Sequence, residues 1–420
     1  MLPLSFLRAH GRLLAFGFFM CFCSSLGQTF FIALFGGEIR RSFGLSDGDF
    51  GAIYSAGTLI SAAVLVWLGR LIDRLPLAVF AAATLVGLAA MCLFMGMAGS
   101  LAGGLGTAGW GAAILLPAIF GLRLFGQGLS SHAAIVAMGR YFTAERGRVV
   151  SLASLGHTLG DAVLPGLVVA ALTIAAWQDI WTGAGLALLA LTPIVFILLK
   201  GQRARDAALS SARTAGGSGT AAQDWRLAAV LRDPGLWLRL PALLAPSFIF
   251  TGLIFHQVHL AETKGWPLSL LAGSYLVFAF ASLAALMVGG LLVDRFSARR
   301  LVTLFLAPLA LACLVLVSSD AVITAPLFLG LMGMNAGIAG VILGALWAEL
   351  YGVTHLGAIR SFGQAAMVFS SGLAPAFMGL LIDQGVAMES IAAGSALYCL
   401  AAAALARLAE QSRRVTPQAG

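Results

Sequence analysis

The sequence predicts an all-α polytopic membrane protein, with twelve transmembrane helices in two pseudo-symmetric six-helix halves. Three observations carry this. First, 60% of the 420 residues are drawn from AVILMFWYC and only 10% are charged, whereas soluble domains are about 45–50% apolar and about 25% charged. Second, the apolar residues fall in runs close to the roughly 20 that a helix needs to cross a bilayer. Third, a short loop motif recurs at the same place in each half of the chain. A mean hydropathy of +0.97 excludes a soluble enzyme, a disordered chain and a nucleic-acid module.

Taken in order, the apolar runs between charged or Gly/Pro-rich breaks place the first six spans at 13–36, 49–68, 77–98, 110–138, 149–173 and 180–199. The second six fall at 238–260, 270–292, 301–317, 322–347, 359–381 and 388–408. The first run follows Arg8 and Arg12 as a signal peptide would. It exceeds the apolar core of about 7–15 residues of such a peptide and ends in Gly37-Glu38 without a small-residue cleavage pattern, so it reads as a retained span. The expected organisation is a six-helix half over 1–199, a basic cytoplasmic linker over 200–237, a second half over 238–410 and a disordered cytoplasmic tail over 411–420. The linker centres on Gly216-Gly217-Ser218-Gly219 between basic residues, and its 224–232 stretch suits a short surface helix.

Orientation follows from Lys and Arg. They gather in the loops on the N-terminal side, while the opposite loops carry only Arg40, Arg41 and Lys264, and Arg123 lies within a span. Asp and Glu divide evenly, as expected where Lys and Arg alone set topology. Both termini are therefore expected in the cytoplasm, in a bacterial-type inner (plasma) membrane. The net charge of +8 is a topology signal and needs no nucleic-acid partner. Cys21, Cys23, Cys92, Cys313 and Cys399 all lie inside apolar runs and read as packing residues, without disulfide or zinc spacing. Gly104-Leu105-Gly106-Thr107-Ala108-Gly109 satisfies G-x-G-x-x-G, but no strand precedes it, so a dinucleotide site is not expected. No Walker sequence is present, and the Ser, His and Asp residues within the spans have no nucleophile-elbow context. The chain is not expected to be an enzyme, and no cofactor or metal is expected.

After span two stands Gly69-Arg70-Leu71-Ile72-Asp73-Arg74, and after span eight Gly290-Leu291-Leu292-Val293-Asp294-Arg295. Both read G-x-L-x-D-R at the second cytoplasmic turn of their half. Pro165 in span five and Pro375 in span eleven also correspond. Repeated halves around a midplane site are a mark of secondary transporters. Span four adds Arg123-Leu124-Phe125-Gly126-Gln127-Gly128, and span five adds Gly156-x-x-x-Gly160 followed by Asp161.

Over about residues 10–410 these features resemble the major facilitator superfamily. The Arg123 segment is similar to the family's R-x-x-x-G-x-G pattern with one residue fewer, and Asp161 stands where the family's antiporter motif has Pro. The resemblance implies a secondary active transporter working by alternating access. It further implies that spans one, four, seven and ten line a cavity, that spans three, six, nine and twelve face lipid, and that the loop motifs close the cytoplasmic side in one state. Gly69 and Gly290 are expected to let helices approach closely. Asp73 and Arg74, with Asp294 and Arg295, are expected to form the latch, Asp73 accepting from N–H groups at a neighbouring helix start. Glu349 at the inner end of span ten is expected to pair with a basic loop residue such as Arg360.

Ionisable groups inside a span cost at least about 2.5–3.5 kcal/mol, so each is a functional candidate. Arg123 and Asp161 lie near the middle of spans four and five. Two readings stand side by side: Arg123 as a fixed positive charge for an anionic substrate with Asp161 cycling a proton, or a permanent Arg123–Asp161 pair that holds the helices. His157, one turn from Asp161 on the same face, reads as a proton relay or as a hydrogen-bonded core residue. Gln28, Asn335, His256, Gln257 and His259 are further candidates for contact with substrate, and His132 and His355 read as structural. The pair His256/His259 lacks a third ligand at fixed spacing and is not expected to bind metal. The leading expectation is a proton-coupled carrier of a small organic anion, driven by the proton gradient and monomeric in the bilayer. The alternatives are an efflux pump for drugs or toxic compounds and a non-transporting membrane assembly or partner protein that keeps only the fold.

Overall fold

The computed structural model describes residues 4–105, 111–142, 146–202, 226–352 and 356–415. Among them there are helices and turns but no strand. Eleven helices are long and apolar enough to cross a membrane, and Ala307–Ser318 is a shorter apolar helix. The chain divides into two compact units, Met1–Ser218 and Gly219–Gly420.

In the first unit, span one is built from three pieces. A helix over Leu4–Ser24 passes into a 3-10 turn over Ser25–Gly27, Gln28 is extended (φ −81°, ψ 155°), and a second helix runs over Thr29–Leu34. Span two covers Asp47–Leu68, started by a reciprocal capping box between Ser46 and Asp49. Spans three and five are continuous over Leu77–Leu105 and Arg146–Leu172. Span four runs over Gly111–Gly121, a π-helical stretch at Leu122–Ser130 and Ser131–Tyr141. Span six, Trp177–Leu191 and Ile194–Leu198, is interrupted at Thr192-Pro193, where proline has no N–H to continue the ladder. Trp181 closes the core at 5.2 Å from Phe31 and 5.0 Å from Phe35, ring to ring.

In the second unit, span seven runs over Pro234–Phe255, and the chain turns at His256 into the short helix Gln257–Lys264. Its start lies inside the expected linker. Asp233 caps it by accepting from Gly235 N at 2.9 Å with Pro234 in the first turn. Leu236 and Arg239 are buried, so this end packs as part of the bundle. The helix Leu227–Val230 falls within the stretch expected to form a surface helix, while 203–225, including the Gly/Ser centre, lies outside the described residues. Spans eight, ten and eleven cover Leu268–Phe296, Thr324–Tyr351 and Leu356–Asp383.

Span nine differs from the continuous run expected over 301–317. A single turn at Ala298–Leu301 is separated by the turn 302–306 from Ala307–Ser318. Span twelve, Met388–Val415, continues helical past Gln411, where a disordered tail was expected. Glu410 anchors that end through Arg239 and Arg299, and extending an existing helix adds one bond per residue without a new nucleus. Small residues bring helices together in this unit. A methyl group at Gly333 or Gly337 would stand 2.2 Å from Phe278 O or Ser282 O of span eight.

Candidate functional site

The break in span one organises the first unit. Gln28 caps the second piece, whose first bond is Ile32 N–H to Gln28 O, so Gly27 O is left outside the helical ladder. Arg123 satisfies it. Its Nη1 donates to Gly27 O at 3.2 Å and to Thr29 Oγ1 at 3.4 Å, and its guanidinium lies 5.3 Å from the centre of the Tyr54 ring. Tyr54 OH donates to the same Thr29 Oγ1 at 2.8 Å. The backbones touch at this point. A Cβ on Gly27 would meet Leu122 O at 2.2 Å, and one on Gly126 would meet Gly27 Cα at 2.6 Å. The π-helical stretch of span four therefore lies against the interruption of span one, and Gly126 permits the contact.

Arg123 is 4% exposed, and its Nε has no hydrogen-bond partner among the described residues. No ion pair joins it to Asp161 among the described residues. The permanent Arg123–Asp161 pair is thus not what holds spans four and five. The cation sits instead at the carbonyl-rich end of the first piece of span one, where a positive charge is favoured. Asp161 is half-buried and lies on span five, which packs on span one through its two glycines. A methyl at Gly156 would meet Phe18 O at 2.2 Å, and one at Gly160 would meet Ser25 Oγ at 2.1 Å. His157 Nδ1 is 3.1 Å from Ser24 Oγ. Gln28 is half-buried at the break itself. Ser25 Oγ, fully buried, has no hydrogen-bond partner among the described residues.

The second unit repeats the device with other residues. His256 sits at the turn after span seven, and its Nε2 donates to Pro375 O of span eleven at 3.0 Å. Gln257 Oε1 accepts from Tyr275 OH at 2.7 Å. Both side chains are buried, and His259 lies half-buried further along the same short helix. Asn335 is buried, and its Nδ2 donates to Phe305 O at 2.8 Å. That carbonyl belongs to the turn that interrupts span nine, so Asn335 completes the backbone there. Among the described residues no group of three or more His, Cys, Asp or Glu could hold a metal ion.

At the loop motifs the two units differ. Asp73 accepts from Arg140 Nη2 at 2.6 Å, at the end of span four, and among the described residues it meets no N–H group at a helix start. Gly69 O accepts from His132 Nε2 at 3.2 Å, which fits the structural reading of His132. In the second unit it is Glu349 that meets a helix start, accepting from Ala298 N at 2.9 Å and Arg299 N at 3.1 Å. It does so in place of the expected pairing with Arg360, which is exposed; two orphan N–H groups at Ala298–Leu301 are satisfied this way. Arg74, Asp294 and Arg295 are exposed, the last lying 5.3 Å from the Phe296 ring centre. Gly290 has open space where a Cβ would stand, so close approach is not its role. His355 and most of the Gly104–Gly109 segment lie outside the described residues.

Comparison with known proteins places this geometry. The pattern described as Major Facilitator Superfamily matches residues 17–330. The chain belongs to the Major Facilitator Superfamily. It is an integral multi-pass membrane protein and a secondary transporter of that superfamily, not an enzyme. Among solved structures it is similar to a bacterial homologue of the human lysosomal transporter Spinster. In the inward-facing unoccupied conformation the TM-score is 0.66 at 13% identity, covering 96% of this chain and 97% of that one. In the inward-facing occupied conformation the TM-score is 0.68 at 15% identity, covering 95% and 96%. At such identities the likeness concerns the Major Facilitator Superfamily fold. No curated protein matches the chain by sequence.

Sequence reasoning missed Ser24, Ser25, Thr29, Tyr54 and Tyr275. A signal for the tyrosines was present. Tyr54 stands fifteen residues before Gly69, and Tyr275 stands fifteen before Gly290, so the repeat extends into the spans. In each half the tyrosine binds the residue just after the interruption.

Proposed function

We propose that this Major Facilitator Superfamily member is a proton-coupled carrier of a small organic anion. It would work by alternating access in a bacterial-type inner membrane, with both termini cytoplasmic and no cofactor beyond the proton gradient. The observation that carries the reading is Arg123. A guanidinium buried in the bilayer interior must be compensated, and Arg123 meets a carbonyl, a hydroxyl and a ring but no carboxylate among the described residues. Its unpartnered Nε–H supports a substrate carboxylate as the missing acceptor, since a guanidinium edge binds carboxylate with two parallel bonds. Asp161, a carboxyl within a span and apart from that cation, is the group that carries the proton. Gln28, beside the break, contributes an amide to the same site. At the two loop motifs, Asp73–Arg140 and Glu349 on the Ala298 turn act as the contacts that hold each half's loop during the cycle.

A thermal-shift screen of the purified protein against metabolites tests this. A ligand bound only by the native state raises apparent stability by about 2.7 kcal/mol at 100 times its Kd. Stabilisation by a carboxylate in wild type and none in Arg123→Gln is expected. Stabilisation by lipophilic cations that survives Arg123→Gln points to efflux of amphipathic compounds instead.

A further inference from the structure

His157 and Asp161 stand one turn apart on span five, beside the glycine face that packs on span one. His157 therefore meets the last residue of the first piece of span one, with Nδ1 3.1 Å from Ser24 Oγ. Ser24 is fully buried, and its single hydroxyl proton is given to Cys21 O at 2.8 Å. With that proton engaged, Ser24 Oγ meets the ring only as an acceptor, so Nδ1 carries the hydrogen. The lone pair of the neutral ring is then on Nε2, which has no hydrogen-bond partner among the described residues.

We propose that His157 is the second carrier on the proton path, oriented by Ser24 so that Nε2 is the base that receives the proton leaving Asp161. The inference rests on the reading of Asp161 as proton carrier. In the step, the carboxyl O–H bond breaks with its electron pair left on the carboxylate, and an Nε2–H bond forms. The imidazolium then gives the Nε2 proton to water. Residues four apart on a helix have Cβ atoms about 5–6 Å apart, a gap that two side chains close directly or through one water. The Ser24 bond persists in both states, because Nδ1–H donates whether the ring is neutral or charged. The ring need not turn as the proton moves. Among the described residues, the ionisable groups on the turn of span one that carries Ser24 are the buried thiols Cys21 and Cys23. Arg123 reaches the break from span four, at Gly27.

Nitrogen NMR of the full-length, 15N-histidine-labelled protein in nanodiscs tests the proposal, with His157 assigned from the signal lost in His157→Gln. Above the titration of the ring, a hydrogen on Nδ1 and a bare Nε2 are expected; the Nε2–H tautomer overturns the proposal. Asp161→Asn should move the Nε2 resonance and leave Nδ1 in place, and an unmoved Nε2 overturns the relay while leaving Asp161 as carrier. Ser24→Ala should give a mixture of tautomers, and a ring still wholly Nδ1–H removes Ser24 as its orienting group. The underlying reading is checked separately by accumulation driven by a pH gradient. If Asp161→Asn accumulates solute like wild type, the carrier fails even with the tautomer as expected.

Discussion

Gly27→Ala strikes the contact on which the first unit depends. The new methyl would stand 2.2 Å from Leu122 O, 2.7 Å from Gly126 Cα and 2.9 Å from Gln127 N. All three are backbone atoms of a helical stretch, and none can rotate aside. Ordinary carbon contact lies near 3.5–4.0 Å, so spans one and four must part by on the order of 1 Å. The bonds from Arg123 to Gly27 O and Thr29 Oγ1 already measure 3.2 and 3.4 Å, and such a retreat carries both past hydrogen-bonding length. Overpacking costs about 1–3 kcal/mol, and hydrogen bonds from a charged donor are worth about 1.5–3 kcal/mol. Counting the two bonds from the single Nη1 as one contribution, the variant should lose about 2.5–6 kcal/mol, read as a lower Tm by tryptophan fluorescence in detergent. Gly126→Ala should behave alike, since its methyl meets Gly27 Cα at 2.6 Å. Gly166→Ala on span five, with open space around the position, is the control and should melt as wild type. If the Gly27 and Gly126 variants also melt as wild type, the close contact and its bracing by Arg123 are refuted.

Three further outcomes follow from the geometry. Asn335→Leu strands the buried Phe305 carbonyl and should lower stability by about 1–3 kcal/mol with little change in ligand affinity; a large affinity loss at unchanged Tm would put Asn335 in the substrate site. Lys264, buried beyond the end of span seven, donates to Asp320, to Glu389 at 2.6 Å and to Leu316 O at 2.8 Å. Burial pulls its pKa down, but the bonds to Asp320 and Glu389 outweigh this and hold it above the ordinary lysine value. Its contribution is then complete at neutral pH, persists to the ordinary lysine pKa and is lost only as pH rises through the raised one. Lys264→Met should lower Tm by an amount equivalent to about 1.5–3 kcal/mol at pH 7, with the gap to wild type closing only in strong alkali. Asp73→Asn removes an exposed ion pair worth about 0–1 kcal/mol, so Tm should hardly move while turnover slows more than ligand binding weakens; wild-type turnover removes the pair from the gate.

Hydropathy and the placement of Lys and Arg made the twelve spans legible, because burial of whole helices in lipid is a property averaged over some twenty residues. The interruptions were not legible for the same reason. Gln28 is one extended residue, and the turn at 302–306 is five residues in an apolar run, too little to lower a window of that length. With the breaks hidden, the backbone partners of the polar residues beside them were hidden too. Asn335 and His256, candidates for substrate contact by sequence, are seen in the structure to meet Phe305 O and Pro375 O. Scarcity of charge within the spans is what made Arg123 and Asp161 candidates. Their similar depth left a permanent pair open as one of two readings, whereas the carbonyl freed at Gly27 takes the guanidinium. At the loop motifs the repeated letters conceal a difference: Asp73 is held by Arg140, while the second unit uses Glu349 on backbone N–H groups.

The most direct test of the account is solute uptake by the protein in liposomes under an imposed pH gradient, using the carboxylate found by thermal shift. Proton-coupled carriage of an organic anion predicts accumulation that follows the gradient in wild type and vanishes in Arg123→Gln. In Asp161→Asn it predicts exchange without accumulation. Accumulation that ignores the pH gradient, or that survives Arg123→Gln, contradicts it.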